Sequence, residues 1–108
     1  MENMIQSISN FFKTNTEKLR DAAKIGDLQN VKALIRAGAD LATTVHGTRG
    51  TITALMLAVR YGHVEVAQYL VEAGTDLEAK DEWGMTALMC AAHNGHVEVA
   101  QYLVGAGA

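Results

Sequence analysis

The residues from Thr53 read TALMLAVRYGHVEVAQYLVEAGT and those from Thr86 read TALMCAAHNGHVEVAQYLVGAGA, identical at 17 of 23 aligned positions with a spacing of 33 residues. A period in the range of about 20 to 50 residues marks a chain built from supersecondary units that cannot bury their apolar faces alone and are stabilised by stacking on their neighbours. Function in such a chain is carried by a stacked surface rather than by a catalytic cleft.

A more diverged copy lies upstream. With a shift of 36, Leu19 falls on Leu55, Ala22 on Ala58, Gly26 on Gly62, Leu34 on Leu70, Gly38 on Gly74 and Asp40 on Asp76. The three surplus residues sit in the connector between Asp40 and Thr53, where LATTVHGTRGTI is longer than its later counterpart LEAKDEWGM. Connectors on the surface accept insertions that helices do not.

Each late copy divides into two short helical pieces. Thr53 can cap ALMLAVRY, which Gly62 ends, and His63 opens VEVAQYLVEA, which Gly74 ends. In the second piece Val64, Ala67, Leu70 and Val71 recur at helical spacing, with Glu65, Gln68 and Glu72 on the outer face. The pattern predicts an all-α repeat, an α-solenoid of helix–turn–helix units joined by polar connectors.

These residues resemble the ankyrin repeat: the 33-residue period, the T-x-L-x-x-A opening, the central Gly-His, and the closing Gly38-Ala39-Asp40. The resemblance covers roughly residues 16 to 108, with Asp81 to Thr86 as the clearest hairpin and helix cap. It implies an ankyrin stack with hairpin connectors, in units of about 16–44, 45–80 and 81–108, the last incomplete. Members of the family usually carry Pro-Leu-His after the threonine, whereas Ala54-Leu55-Met56 and Ala87-Leu88-Met89 stand here and the chain has no proline. The rigid proline start and the His-to-Thr hydrogen bond are therefore absent.

Residues 1–15 fall outside the repeats. Met1, Met4, Ile5, Ile8, Phe11 and Phe12 gather on one side of a helical wheel, which predicts an amphipathic helix capping the first unit. A membrane-surface helix is the sharper alternative, but one Lys and one Glu supply no attraction for anionic lipid. Neither a secretory nor a transit signal is visible, and no apolar run approaches the roughly 20 residues of a membrane span.

At 108 residues the chain is one small domain. Its net charge of −3 and nine scattered Lys and Arg argue against nucleic acid, whose nonspecific binding rests on a basic face. A single cysteine rules out an intrachain disulfide and agrees with a reducing, cytoplasmic setting.

Few constellations suggest chemistry. Cys90, His93 and His96 stand three apart, but the preceding copy has Leu57, Arg60 and His63 in the same places. Cys90 thus occupies an apolar slot and His96 a turn, which leaves a buried thiol and a helix-start histidine rather than a metal site. Serine occurs only at Ser7 and Ser9, and no nucleophile elbow or phosphate loop is present. Asp81 and Glu82 are adjacent, and read as a solvated pair in a hairpin. The expectation is a non-enzyme with no cofactor and no metal.

The two late copies differ at Arg60 against His93 and at Tyr61 against Asn94, just before the glycine that ends the first helix. Faithful core positions around them imply that these two are under little shared packing constraint and face solvent. The resemblance implies that partners bind this helix end and the projecting hairpin tips. Carried over residue by residue, the protein-binding candidates are Lys24, Ile25, Arg60, Tyr61, His93 and Asn94, flanked by Arg49 in one hairpin and by Glu82, Trp83 and Met85 in another. Aromatic and Arg side chains dominate interface energetics because they combine large area with a directed polar group.

The sequence therefore reads as a non-catalytic protein-interaction module with an unidentified protein partner. The alternative is an amino-terminal regulatory or targeting part of a longer protein, an enzyme among the options. The copy that stops at Ala108 also leaves Val97, Val99, Ala100, Leu103 and Val104 without the unit that covers their counterparts, which predicts partial exposure and weak self-association through that face.

Overall fold

A computed structural model describes residues 14–41 and 53–108. The candidate capping helix up to residue 13, the connector from 46 to 52 and Arg49 lie outside the described residues. Among the described residues there are six helices and no strand. They are α1 (Asn15–Ile25), α2 (Leu28–Arg36), α3 (Ala54–Arg60), α4 (Val64–Glu72), α5 (Ala87–His93) and α6 (Val97–Gly105).

The helices form three antiparallel pairs stacked side by side. Helices α1, α3 and α5 make an inner row, each packed on the next, while α2, α4 and α6 make the outer row. Inner helices come close because their contact faces are small: Ala22 and Ala23, Ala54 and Ala58, and Ala87 and Ala91 are all buried. Between them lie Leu19, Leu55, Leu70 and Leu103, each essentially without exposure, in one continuous core. Helices of seven residues, such as α3 and α5, would not persist in isolation. Their stability comes from packing and from their ends.

Thr14, Thr53 and Thr86 cap the inner helices, their hydroxyls accepting from the Glu17, Met56 and Met89 N–H groups at 3.2, 3.2 and 3.3 Å. The inner helices then stop at Gly26, Gly62 and Gly95. At Gly26 and Gly62 the backbone is left-handed, with φ of 88° and 76°, which is costly for any residue with a Cβ. The turn that follows returns the His63 N–H to the Ala58 carbonyl at 2.8 Å, so the second helix starts antiparallel to the first.

The outer helices differ from the sequence reading in one respect. Val66, Ala67 and Leu70 are the buried residues of α4, while Val64 and Val71 are half-buried. Val99, the counterpart of Val66, is equally buried in α6 although no described unit follows it. This position therefore points into its own pair, and the apolar stripe is wider than the i, i+3, i+4 set alone.

Candidate functional site at the inner helix ends

The last residues of α1, α3 and α5 carry Lys24 and Ile25, Arg60 and then Tyr61, and His93 and then Asn94. Stacking of the inner row brings these positions into one line along the edge of the molecule. Lys24, Ile25, Tyr61, His93 and Asn94 are exposed and Arg60 is half-buried. The Lys24 ammonium lies over the Tyr61 ring, 5.7 Å from its centroid, a cation–π distance that links the first two units. The row is basic at each helix end, with Lys24, Arg60 and His93 in the last turns, where a positive charge also complements the helix dipole.

What fixes this line is a pair of hydrogen bonds that local pattern did not indicate. The sequence reading makes His63 and His96 helix openers, and both do stand at the cap position, but neither side chain caps its own helix. Each ring reaches back across the unit boundary. His63 Nε2 donates to the Lys24 carbonyl at 2.9 Å, and His96 Nε2 donates to the Arg60 carbonyl at 3.0 Å. A carbonyl can only accept, so Nε2 carries the proton in both. The ring passes over the glycine of the preceding unit: a Cβ built on Gly26 would lie 2.5 Å from His63 Nδ1, and one on Gly62 would lie 2.9 Å from His96 Cε1. Glycine is thus required at these sites both for its backbone angle and for the imidazole above it. The first unit has Asp27 in place of histidine, and its carboxylate caps α2 locally by accepting from the Asn30 N–H at 3.2 Å.

Asn94 uses its side chain within its own unit, donating from Nδ2 to the Cys90 carbonyl at 2.7 Å. The Tyr61 and His93 side chains are exposed beside it.

The second hairpin is organised by Asp81. Read from sequence as half of a solvated pair, Asp81 is instead buried, whereas Glu82 is exposed. The reason is backbone demand: its Oδ1 accepts from both the Trp83 and Met85 N–H groups at 2.9 Å, and its own N–H donates to the Met85 carbonyl at 3.0 Å. Tight turns expose donors that an aspartate can satisfy. Trp83 is held at the tip by its backbone while 69% of its surface is exposed. Met85 turns inward, half-buried against the core.

Cys90 is buried, and its thiol is pushed up from the ordinary value first by burial and then by the Asp81 charge, against the opposing pull of Arg60. Among the described residues no cluster of His, Cys, Asp and Glu could hold a metal ion. No helix among them is long and apolar enough to cross a membrane.

A family model described as ankyrin repeats in three copies matches residues 19–108. The chain belongs to the ankyrin-repeat family. Among curated relatives it is 35% identical over 66 residues, 61% of the chain, to proteins named ankyrin repeat domain-containing protein 40 in Mus musculus and Homo sapiens. The chain spans 18% and 17% of those two relatives' length. The ankyrin assignment accounts for the antiparallel pairs, the glycine-ended inner helices and the hairpin that Asp81 organises.

Proposed function

We propose that this ankyrin-repeat chain is a non-catalytic protein-binding module whose contact surface is the inner helix ends and the Trp83 hairpin tip. The observation that carries this reading is an outward-facing Trp83 and Tyr61 on backbone that is already pinned, by Asp81 in one case and by the His96 bond to the Arg60 carbonyl beside Tyr61 in the other. Large aromatic surface that is ordered before a partner arrives loses little entropy on binding. Lys24, Ile25, Arg60, His93, Asn94 and Glu82 would frame these anchors, and Arg49 and Met85 complete the set proposed from sequence.

The test begins with affinity capture and mass spectrometry to identify a partner. Tyr61→Ala, Trp83→Ala and Arg60→Ala are then titrated against it singly. Each true anchor should cost about 1 kcal/mol or more in binding, with helicity by circular dichroism unchanged. Full affinity in all three folded variants would remove this surface from consideration.

A further inference from the structure

The chain has three Tyr and one Trp, all among the described residues. Tyr61 and Tyr69 each have an ammonium over the ring, that of Lys24 at 5.7 Å and that of Lys32 at 5.4 Å from the centroid. Both cations come from the first unit and both rings from the second. Among the described residues no cation lies over Tyr102 or Trp83. Tyr102 is half-buried in α6, whereas Trp83 is 69% exposed at its hairpin tip. We propose that Trp83 takes a guanidinium from outside the chain, so that the partner recognised here is a protein with an arginine-bearing basic segment. The inference rests on the binding surface proposed above and names the chemistry that this surface selects.

Ring, local charge and regional charge agree. Trp offers a cation the most receptive aromatic face, and the planar guanidinium is the cation that stacks on it best. Beside the ring, Asp81 Oδ1 is used by the Trp83 and Met85 N–H groups, but Asp81 Oδ2 is buried without a hydrogen-bond partner. The carboxylate charge is therefore held one hydrogen bond from the Trp83 backbone, in surroundings that screen it poorly. Glu82, next in the chain, is exposed and can accept from a guanidinium that rests on the ring. Over a longer range, residues 53–108 have seven Asp and Glu against Arg60 and Lys80 alone, whereas residues 14–41 have four against five Lys and Arg. The part of the molecule that bears Trp83 thus steers a basic partner toward itself and turns an acidic one away.

An apolar socket in the partner is the weaker occupant. Closing it over Trp83 would take Glu82 out of water and bring apolar surface up to the Asp81 charge with nothing to compensate either. Desolvating an unpaired carboxylate costs more than burying one ring contributes.

The experiment titrates the whole chain with three synthetic peptides in which glycine alternates with arginine, with lysine or with glutamate. Trp83 is the only Trp, so fluorescence reports on this ring alone, and calorimetry gives affinities for variants that lack it. The arginine peptide should change Trp83 emission, bind more tightly than the lysine peptide and weaken with added salt, and the glutamate peptide should not bind. Trp83→Leu, which keeps an apolar side chain and removes the π face, should weaken arginine-peptide binding about 2- to 5-fold with circular dichroism unchanged, while Trp83→Phe keeps part of it. Glu82→Gln should weaken binding more than Glu72→Gln, the same loss of charge on the exposed face of α4. Equal affinity of the native chain and Trp83→Leu overturns the proposal, and so do equal losses from the two Glu variants, because net charge would then explain the binding. Tighter binding of the lysine or the glutamate peptide overturns the choice of guanidinium. A captured protein separates this inference from the surface it rests on. Affinity that falls on Trp83→Ala yet is indifferent to replacing the captured protein's arginines by glutamine overturns the basic class and leaves the surface standing, whereas full affinity for Trp83→Ala removes the tip from the surface.

Discussion

At the scale of single residues, the two histidines that bridge unit boundaries couple three requirements at one point: an imidazole, a carbonyl beneath it and a glycine with no Cβ. Gly62→Ala should therefore cost more than Gly84→Ala. Both put alanine at positive φ, with φ of 76° and 77°, but only Gly62 has a ring within reach. We expect about 1–2 kcal/mol for the backbone alone and at least ~1 kcal/mol more at Gly62 for displacing the His96 ring. In a His96→Ala background the excess should vanish, measured by urea unfolding as a double-mutant cycle. An excess that survives the loss of the ring would show that the ring is not its cause. Cys90 supplies a second prediction at this scale. Its folded value lies above the unfolded one, because burial disfavours the thiolate. That contribution is complete below the ordinary thiol value and is lost as pH rises through the folded value. Stability of the native chain should fall more steeply in alkali than that of Cys90→Ala. Parallel pH profiles for the two proteins would contradict the assignment.

At the scale of helices, nearly identical sequences have different surroundings, and substitutions should report it. Met56→Ala in α3, buried on both sides, is expected to cost about 2–5 kcal/mol, whereas Met89→Ala in α5 should stay within ~0.5 kcal/mol of the parent. Mild peroxide should oxidise Met89 well before Met56, read by peptide mapping. Comparable costs, or comparable oxidation, would mean that α5 is covered in solution. The helices themselves were legible in the sequence: threonine caps, apolar spacing and glycine stops are local signals, and α3 to α6 lie where they point. What was not legible depends on contacts across a boundary. The bond from His63 to the Lys24 carbonyl joins residues 39 apart, and no periodicity within one helix reports it. Its trace was the recurrence of Gly-His in both late copies at a place where a helix cap would ordinarily be Ser, Thr or Asp. Asp81 was misread because charge suggests solvent, whereas a hairpin with several unpaired N–H groups needs a buried acceptor. Lys24, Arg60 and His93 could be placed on one edge from the repeat alone, since equal positions in stacked units align. That Lys24 covers the Tyr61 ring could not.

At the scale of the whole molecule, the stack is a ladder of interfaces in which each unit is stabilised by the one beside it. The middle pair shows this most fully, with every residue from Ala54 to Val59 buried. Loss of one boundary bond should then be felt on both sides: His63→Ala is expected to speed hydrogen exchange in α1 and in α3 by about 5- to 10-fold, the equivalent of one hydrogen bond of roughly 1 kcal/mol. Acceleration confined to α4 would make the bond a local cap rather than a brace between units. The brace also has a bearing on which substitutions the inner helix ends can accept. What His63 and His96 grip at positions 24 and 60 is main chain, which every amino acid offers in the same form. A lysine there can become a glutamate, or an arginine a tyrosine, while the neighbouring unit still finds its carbonyl. The geometry of the stack and the identity of these two side chains are thereby uncoupled, so either can be exchanged without a compensating mutation in the next unit.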